Sequence, residues 1–149
     1  MERVTVAIRR IDGNDDIPLP RYMTNQAAGM DIYAAVRHEE VIPPGKWKLI
    51  PTGIEIALPA GYEAQIRPRS GLALRSGVTL LNTPGTIDSD YRGELGIIMI
   101  NFSDEPFVTR RGDRIAQMVI HRVCYAAWDE RDVLEVTTRG DGGFGHTGS

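Results

Sequence analysis

The chain has 149 residues, 42% of them hydrophobic, with 17 basic and 20 acidic side chains and a net charge of −3. That length and apolar content fit one domain with its own core, and the slight acidity argues against nucleic-acid binding by bulk electrostatics, so an anionic ligand has to be met by locally placed cations. No apolar run approaches the ~20 residues of a membrane span, and the opening stretch MERVTVAIRRIDG has no apolar signal core; a soluble, cytoplasmic protein without a membrane partner is expected.

Short β-type runs broken by turn signals follow one another along the chain. Val4, Val6 and Ile8 alternate in the first, KLIPTGIEIALP breaks at PAGY before EAQIRP, and VTLLN, LGIIMIN, RIAQMVIHRV and VLEV follow. The spacing leaves no room for βαβ crossovers, so the pattern predicts an all-β fold with little helix, an antiparallel β-sandwich or jelly-roll-like barrel. SGLALRSG alone reads as a short helix, with Ser70 as its N-cap. Cys124, the single cysteine, cannot form an internal disulfide, and in MVIHRVCYAAW it is expected to be a buried small hydrophobe. No Cys/His cluster offers a zinc site.

Glycine is enriched, 16 of 149, and clusters at the positions that carry chemistry. AAGMDIYA sets Asp31 just after Gly29. RPRSGLALRSG places Arg67, Arg69 and Ser70 before Gly71, where guanidinium forks, a hydroxyl and helix-start amides suit phosphate oxygens; a solvated basic turn is the plainer reading. NTPGTIDSDYRGEL concentrates Asp88, Asp90, Tyr91, Arg92 and Glu94. On an extended strand Asp88 and Asp90 would share one face; on a turn they would not. They could be the wet side of a hairpin, but the small residues before Asp88 leave a backbone that a flat base could approach. In RRGDRIAQMVI, Gln117 is the lone uncharged polar residue of an apolar run and could simply be satisfied by backbone. RGDGGFGHTGS has five glycines in eleven residues around Phe144. Its composition suits a disordered end, or an arm on which Phe144 stacks on a ring while Arg139 and Thr147 reach phosphate.

Together these blocks resemble, in order and over residues 27 to 149, the five motifs of the trimeric dUTP pyrophosphatases (dUTPases). The resemblance implies a jelly-roll protomer, a homotrimer with active sites shared between subunits, and Mg²⁺-dependent hydrolysis of dUTP to dUMP and pyrophosphate, which keeps uracil out of DNA and supplies dUMP. Residues 1–138 would form the β-domain and residues 139–149 a glycine-rich arm closing over an active site. Asp88 matches the acid that activates the attacking water; Asn82, Thr86, Ile87 and Gly96 match the uracil-reading hairpin, and Tyr91 the residue that packs on the sugar. Arg69, Ser70, Gly71 and Gln117 match phosphate contacts; Arg139, Phe144, Gly145 and Thr147 of the arm would bind substrate, Phe144 stacking on the ring and Arg139 and Thr147 reaching phosphate, while Asp31 would act on the metal through water. Where the fifth motif usually reads Gly-Ser-Thr-Gly, this chain has His146 in place of the serine. The other readings are a dCTP deaminase or bifunctional relative, against which the DSDYRGEL tyrosine stands, a non-catalytic nucleotide-binding protein on the same fold, and a purely structural trimeric β-protein.

Overall fold

The structure, a computed structural model, describes residues 3–143. It contains twelve strands and one short helix: β1 (Ala7–Arg10), β2 (Arg21–Tyr22), β3 (Met30–Tyr33), β4 (Glu40–Ile42), β5 (Trp47–Pro51), β6 (Ile54–Ala57), β7 (Tyr62–Arg67), α1 (Ser70–Ser76), β8 (Val78–Leu80), β9 (Gly85–Ile87), β10 (Gly96–Asn101), β11 (Phe107–Thr109) and β12 (Arg114–Arg122). All the pairings are antiparallel. They form a five-stranded sheet in the order β2-β3-β12-β7-β9, a three-stranded sheet β5-β10-β8, and two ribbons, β1-β6 and β11-β4.

Alternation decides which face each strand buries. On β7, Ala64 and Ile66 point into the core while Glu63, Gln65 and Arg67 are half-exposed; on β10, Ile97 and Met99 are fully buried. Side chains from all four sheets meet in one apolar cluster, among them Ile32, Ile42, Ile50, Ile56, Ile66, Leu80, Met99 and Met118. One shared core behind four antiparallel sheets is the expected sandwich arrangement. Asn101, fully buried, donates through Nδ2 to the Ile42 and Glu105 carbonyls (2.9 and 2.7 Å) and accepts from Ser103, tying the β10–β11 loop to β4.

Three expectations are corrected. The helix begins at Ser70 itself, with Arg69 in the N-cap position and no side-chain cap. Cys124 is exposed, and VLEV forms no strand: Val133, Leu134 and Val136 are all exposed. Both misreadings have the same cause. After β12 the Val123 amide still donates to the Gly61 carbonyl (3.0 Å), but residues 124–141 run along no neighbouring strand and stay exposed. No helix among the described residues is long and apolar enough to cross a membrane.

Arg111 fixes the N-terminal loop to this body. It donates to Asp16 through Nε (2.8 Å) and Nη2 (2.6 Å), to the Gly13 carbonyl (3.0 Å), to Asn14 Oδ1 (3.1 Å) and, through Nη1, to the Ala35 carbonyl (3.1 Å). Hydrogen bonding from Arg111 holds the Asp16 carboxyl below its ordinary value of 3.8. A carboxyl whose folded pKa is depressed adds stability above its unfolded pKa and loses it as pH falls through the folded value. Arg111→Ala is expected to lower Tm at neutral pH, with the gap to wild type narrowing only below pH 3.8. Thermal melts from about pH 7 to about pH 2 check this; a gap that closes near pH 6 would contradict it.

Candidate active site

The outer face of the five-stranded sheet carries a polar row. Strand register sets Arg21 opposite Asp31, Asp31 opposite Gln117, and Gln117 opposite Arg67, across β2, β3, β12 and β7. A register shift between Arg114 and Ala116 re-aims the start of β12, so Arg114 also comes to Asp31. Arg114 Nη1 donates to Asp31 Oδ2 (3.0 Å), and Arg69 Nε lies 3.3 Å from Asp31 Oδ1. Arg69 Nη1 also donates to the Arg114 carbonyl (2.9 Å). Asp31, its side chain only 13% exposed, thus braces two guanidiniums and leaves one positive charge uncompensated. Next to them α1 begins, its first internal bond running from the Leu72 amide to the Arg69 carbonyl, so the amides of Ser70 and Gly71 precede the helical ladder. Cations, a hydroxyl and these amides on one patch favour an anion with several oxygens.

Gln117 is half-buried, and its Nε2 donates to the Pro68 carbonyl (2.9 Å), so one amide hydrogen goes to backbone and the second has no partner among the described residues. Gly29 lies against its other end: a Cβ at that position would collide with Gln117 Oε1. Asp31, Arg69, Ser70, Gly71 and Gln117 therefore come together, and Arg114, Gly29 and the Pro68 carbonyl join them. Sequence reasoning missed Arg114 and the Pro68 carbonyl, and noted Gly29 only as the glycine ahead of Asp31. Arg114 sits in the same block as Gln117, but only the irregularity in β12 brings it to Asp31.

The second group occupies the loop between β8 and β10, closed at its base by the Leu81 amide donating to the Ile98 carbonyl (2.9 Å). Asn82 and Thr86 are exposed, the Thr83–Pro84 bond is cis, Ile87 packs on the core, and Gly96 begins β10 opposite Pro51. Asp88 to Tyr91 form a turn rather than a strand, with the Tyr91 amide bonded to the Asp88 carbonyl (3.2 Å), so Asp88 and Asp90 do not share a strand face. The exposed carboxylate of Asp88 has no hydrogen-bond partner among the described residues. Tyr91 is 44% exposed, which excludes it from the core. Its hydroxyl donates to the Glu94 carbonyl (3.0 Å), and its ring lies over Gly93 where a Cβ would collide with the hydroxyl. Glu94 in turn accepts from the Gly53 amide (2.8 Å).

These two groups lie towards opposite ends of β7. β9 runs against it with Gly85 opposite Ile66 and Ile87 opposite Ala64, which brings Asp88 level with Glu63. Arg69 follows the far end of the strand and turns further away, toward Arg114 and Asp31. At about 3.3 Å per residue, the steps from Glu63 to Arg67 alone span about 13 Å. That is too far for one water between Asp88 and a phosphate held at Arg69 of the same chain. Among the described residues Arg139 bonds locally, to the Gly142 carbonyl (2.8 Å), while Phe144, Gly145, His146 and Thr147 lie outside the described residues.

No group of three or more acidic, histidine or cysteine side chains among the described residues could cage a metal ion. Asp31 has both oxygens engaged by arginines, a setting that suits hydrogen bonding to a metal-bound water and not direct ligation.

A dUTPase family profile matches residues 15–148. The chain is 56% identical to the deoxyuridine 5'-triphosphate nucleotidohydrolase of Maricaulis maris, covering 100% of this chain and 99% of that one, and 57% identical to the protein of the same name from Thermoanaerobacter sp., covering 97% and 98%. Among solved structures it is similar to a dUTPase of Staphylococcus bacteriophage 80alpha determined with dUpNHpp, at TM-score 0.83 and 24% identity over 97% of this chain and 99% of that one. A second similar structure is a dUTPase of phage phi11 of S. aureus described with a structural Mg(II) ion, at TM-score 0.78 and 22% identity over 89% of this chain and 99% of that one. At these identities the two phage proteins speak to the fold, and they bear out the jelly-roll-like β architecture.

Proposed function

The chain belongs to the dUTPase family, and from that premise we infer that it hydrolyses dUTP to dUMP and pyrophosphate, with the two groups of residues above forming the two halves of its site. The observation that carries the reading is the patch where Arg69 and Arg114 grip Asp31 beside Ser70, Gly71 and Gln117. Its uncompensated positive charge and free donors match a polyphosphate.

Arg69, the Ser70 hydroxyl, the Ser70 and Gly71 amides and the free N–H of Gln117 hold the phosphate chain. Asn82 and the backbone around Thr86, Ile87 and Gly96 read the edge of uracil, and the exposed ring of Tyr91 packs on the deoxyribose. Asp88 accepts the proton of a water that attacks the α-phosphorus in line. Such chemistry needs positioning and charge neutralisation rather than a covalent nucleophile. Mg²⁺, bound through the phosphates with Asp31 acting through water, would supply charge neutralisation. Arg139, Phe144, Gly145 and Thr147 complete the site as an arm closing over it.

The separation of the halves along β7 supports a homotrimer in which the hairpin of one subunit meets the phosphate patch of another. The outward side chains of Trp47 and Leu49 on β5, 57% and 67% exposed, supply apolar area for such contacts. A cytoplasmic location and the absence of stable nucleic-acid binding belong to the same reading.

The test supplies purified protein and Mg²⁺ with dUTP, UTP, dCTP or dTTP and measures pyrophosphate and ammonia. Pyrophosphate from dUTP alone is expected; ammonia from dCTP would make it a deaminase. The same assay checks whether the Tyr91 ring, packed on the deoxyribose, leaves no room for a 2′-hydroxyl. Tyr91→Ala is expected to lower kcat/KM for dUTP yet narrow the dUTP-to-UTP ratio, because removing a steric clash helps only the ribonucleotide. An unchanged ratio would move discrimination to the hairpin backbone.

A further inference from the structure

The turn that presents Asp88 is held by a side chain to which the scheme above gives no role. Arg92 Nη1 donates to the Ser89 carbonyl at 2.7 Å and to the Tyr91 carbonyl at 2.8 Å. The turn's own bond, from the Tyr91 amide to the Asp88 carbonyl, is longer at 3.2 Å. Charge-assisted bonds of the shorter kind are about twice as strong as neutral ones. Arg92 forms no ion pair among the described residues, so its cation is directed at these two carbonyls.

We propose that Arg92 is a positioning residue whose guanidinium clamps the Asp88–Tyr91 turn and thereby sets the direction of the Asp88 carboxylate and the height of the Tyr91 ring. The Asp88 side chain has no hydrogen-bond or ion-pair partner among the described residues, so its aim is inherited from the backbone beneath it. Tyr91 is anchored at its hydroxyl by the Glu94 carbonyl and at its own carbonyl by Arg92, so both ends of the residue are fixed. The proposal rests on the reading of Asp88 as the base.

A competing role for Arg92 is packing, since it lines a shallow groove of about 360 Å³ with Ile8, Arg9 and Ile56. Methionine keeps an unbranched stem without donors, and lysine keeps one charged nitrogen able to bridge two carbonyls. The experiment compares Arg92→Met, Arg92→Lys and Asp88→Asn in the full chain, measuring kcat and KM for dUTP, Tm, and hydrogen exchange at the Tyr91 amide. Arg92→Met is expected to lower kcat by about 10–100-fold with KM within about threefold, as a displaced catalytic group does. Exchange at Tyr91 should accelerate, Tm should hold, and Arg92→Lys should recover most of kcat. A wild-type kcat in Arg92→Met beside an inactive Asp88→Asn would overturn the clamp and leave Asp88 standing. A raised KM with kcat intact, or a lysine variant no better than methionine, would overturn it too, by making Arg92 a substrate contact. Were Asp88→Asn to turn over dUTP normally, the assignment of the base would fall, and exchange at Tyr91 would decide the clamp alone.

Discussion

Asp88→Asn is expected to lower kcat for dUTP by about 10²–10⁴-fold, the range for loss of a positioned base, while KM stays close to wild type. The substitution is nearly isosteric at an exposed side chain without a described partner, so it breaks no packing and no hydrogen bond of the turn. What changes is the ability to accept a proton. Near-normal turnover would mean that another group takes it, Asp90 on the same turn being the first to try. Because Asp88 and the phosphate patch lie towards opposite ends of β7, a mixing experiment goes further. Asp88→Asn and Gln117→Ala chains, each impaired alone, should regain activity when refolded together, since some sites then draw an intact hairpin and an intact patch from different copies. No recovery would count against a shared site.

Removal of residues 139–149 is the second large effect expected, with activity falling about 10²-fold or more while Tm and assembly hold. The folded body gives the reason. Among the described residues the last strand ends at Arg122, the last backbone tie to the β-body beyond it is that of Val123 to Gly61, and the side chain of Arg139 bonds to the Gly142 carbonyl alone. The described residues of this stretch, 139–143, add no side chain to the core, so losing them opens none. A drop in Tm of several degrees on truncation would show that the arm carries stability after all. Wild-type kcat would deny it a part in closing the site.

Much of this was legible in the chain itself, and the exceptions are instructive. Alternation on EAQIRP and LGIIMIN marked which residues enter the core, because period-two burial leaves its trace in the residues themselves. The clustered glycines flagged the site because backbone and side chains come close there, as Gly29 does to Gln117 and Gly93 to Tyr91. VLEV was misread because a strand pattern records a segment that suits pairing, and says nothing of whether a partner lies in the same chain. Cys124 was misread with it, since an apolar neighbourhood in sequence continued past the end of the folded body. Ser70 was taken for a cap because serine favours that position, whereas Arg69 has the extended backbone that precedes the helix. Arg114 was invisible for another reason. Strict alternation would not bring it to Asp31, and only the register shift at the start of β12 does.

β7 acts as a ruler. Its six residues set how far the hairpin's acid stands from the cations that follow the strand, and both groups are anchored to it, one through β9 and the other through the turn into α1. A site that takes one group from each of two copies needs that offset to match the geometry between the copies. Two extra residues in β7 would preserve the in-out alternation and the fold of each copy, yet shift one group by about 7 Å relative to the other. The error would recur in every site of a ring. In a site shared in this way, the length of one interior strand would be constrained by a distance measured outside the chain that contains it.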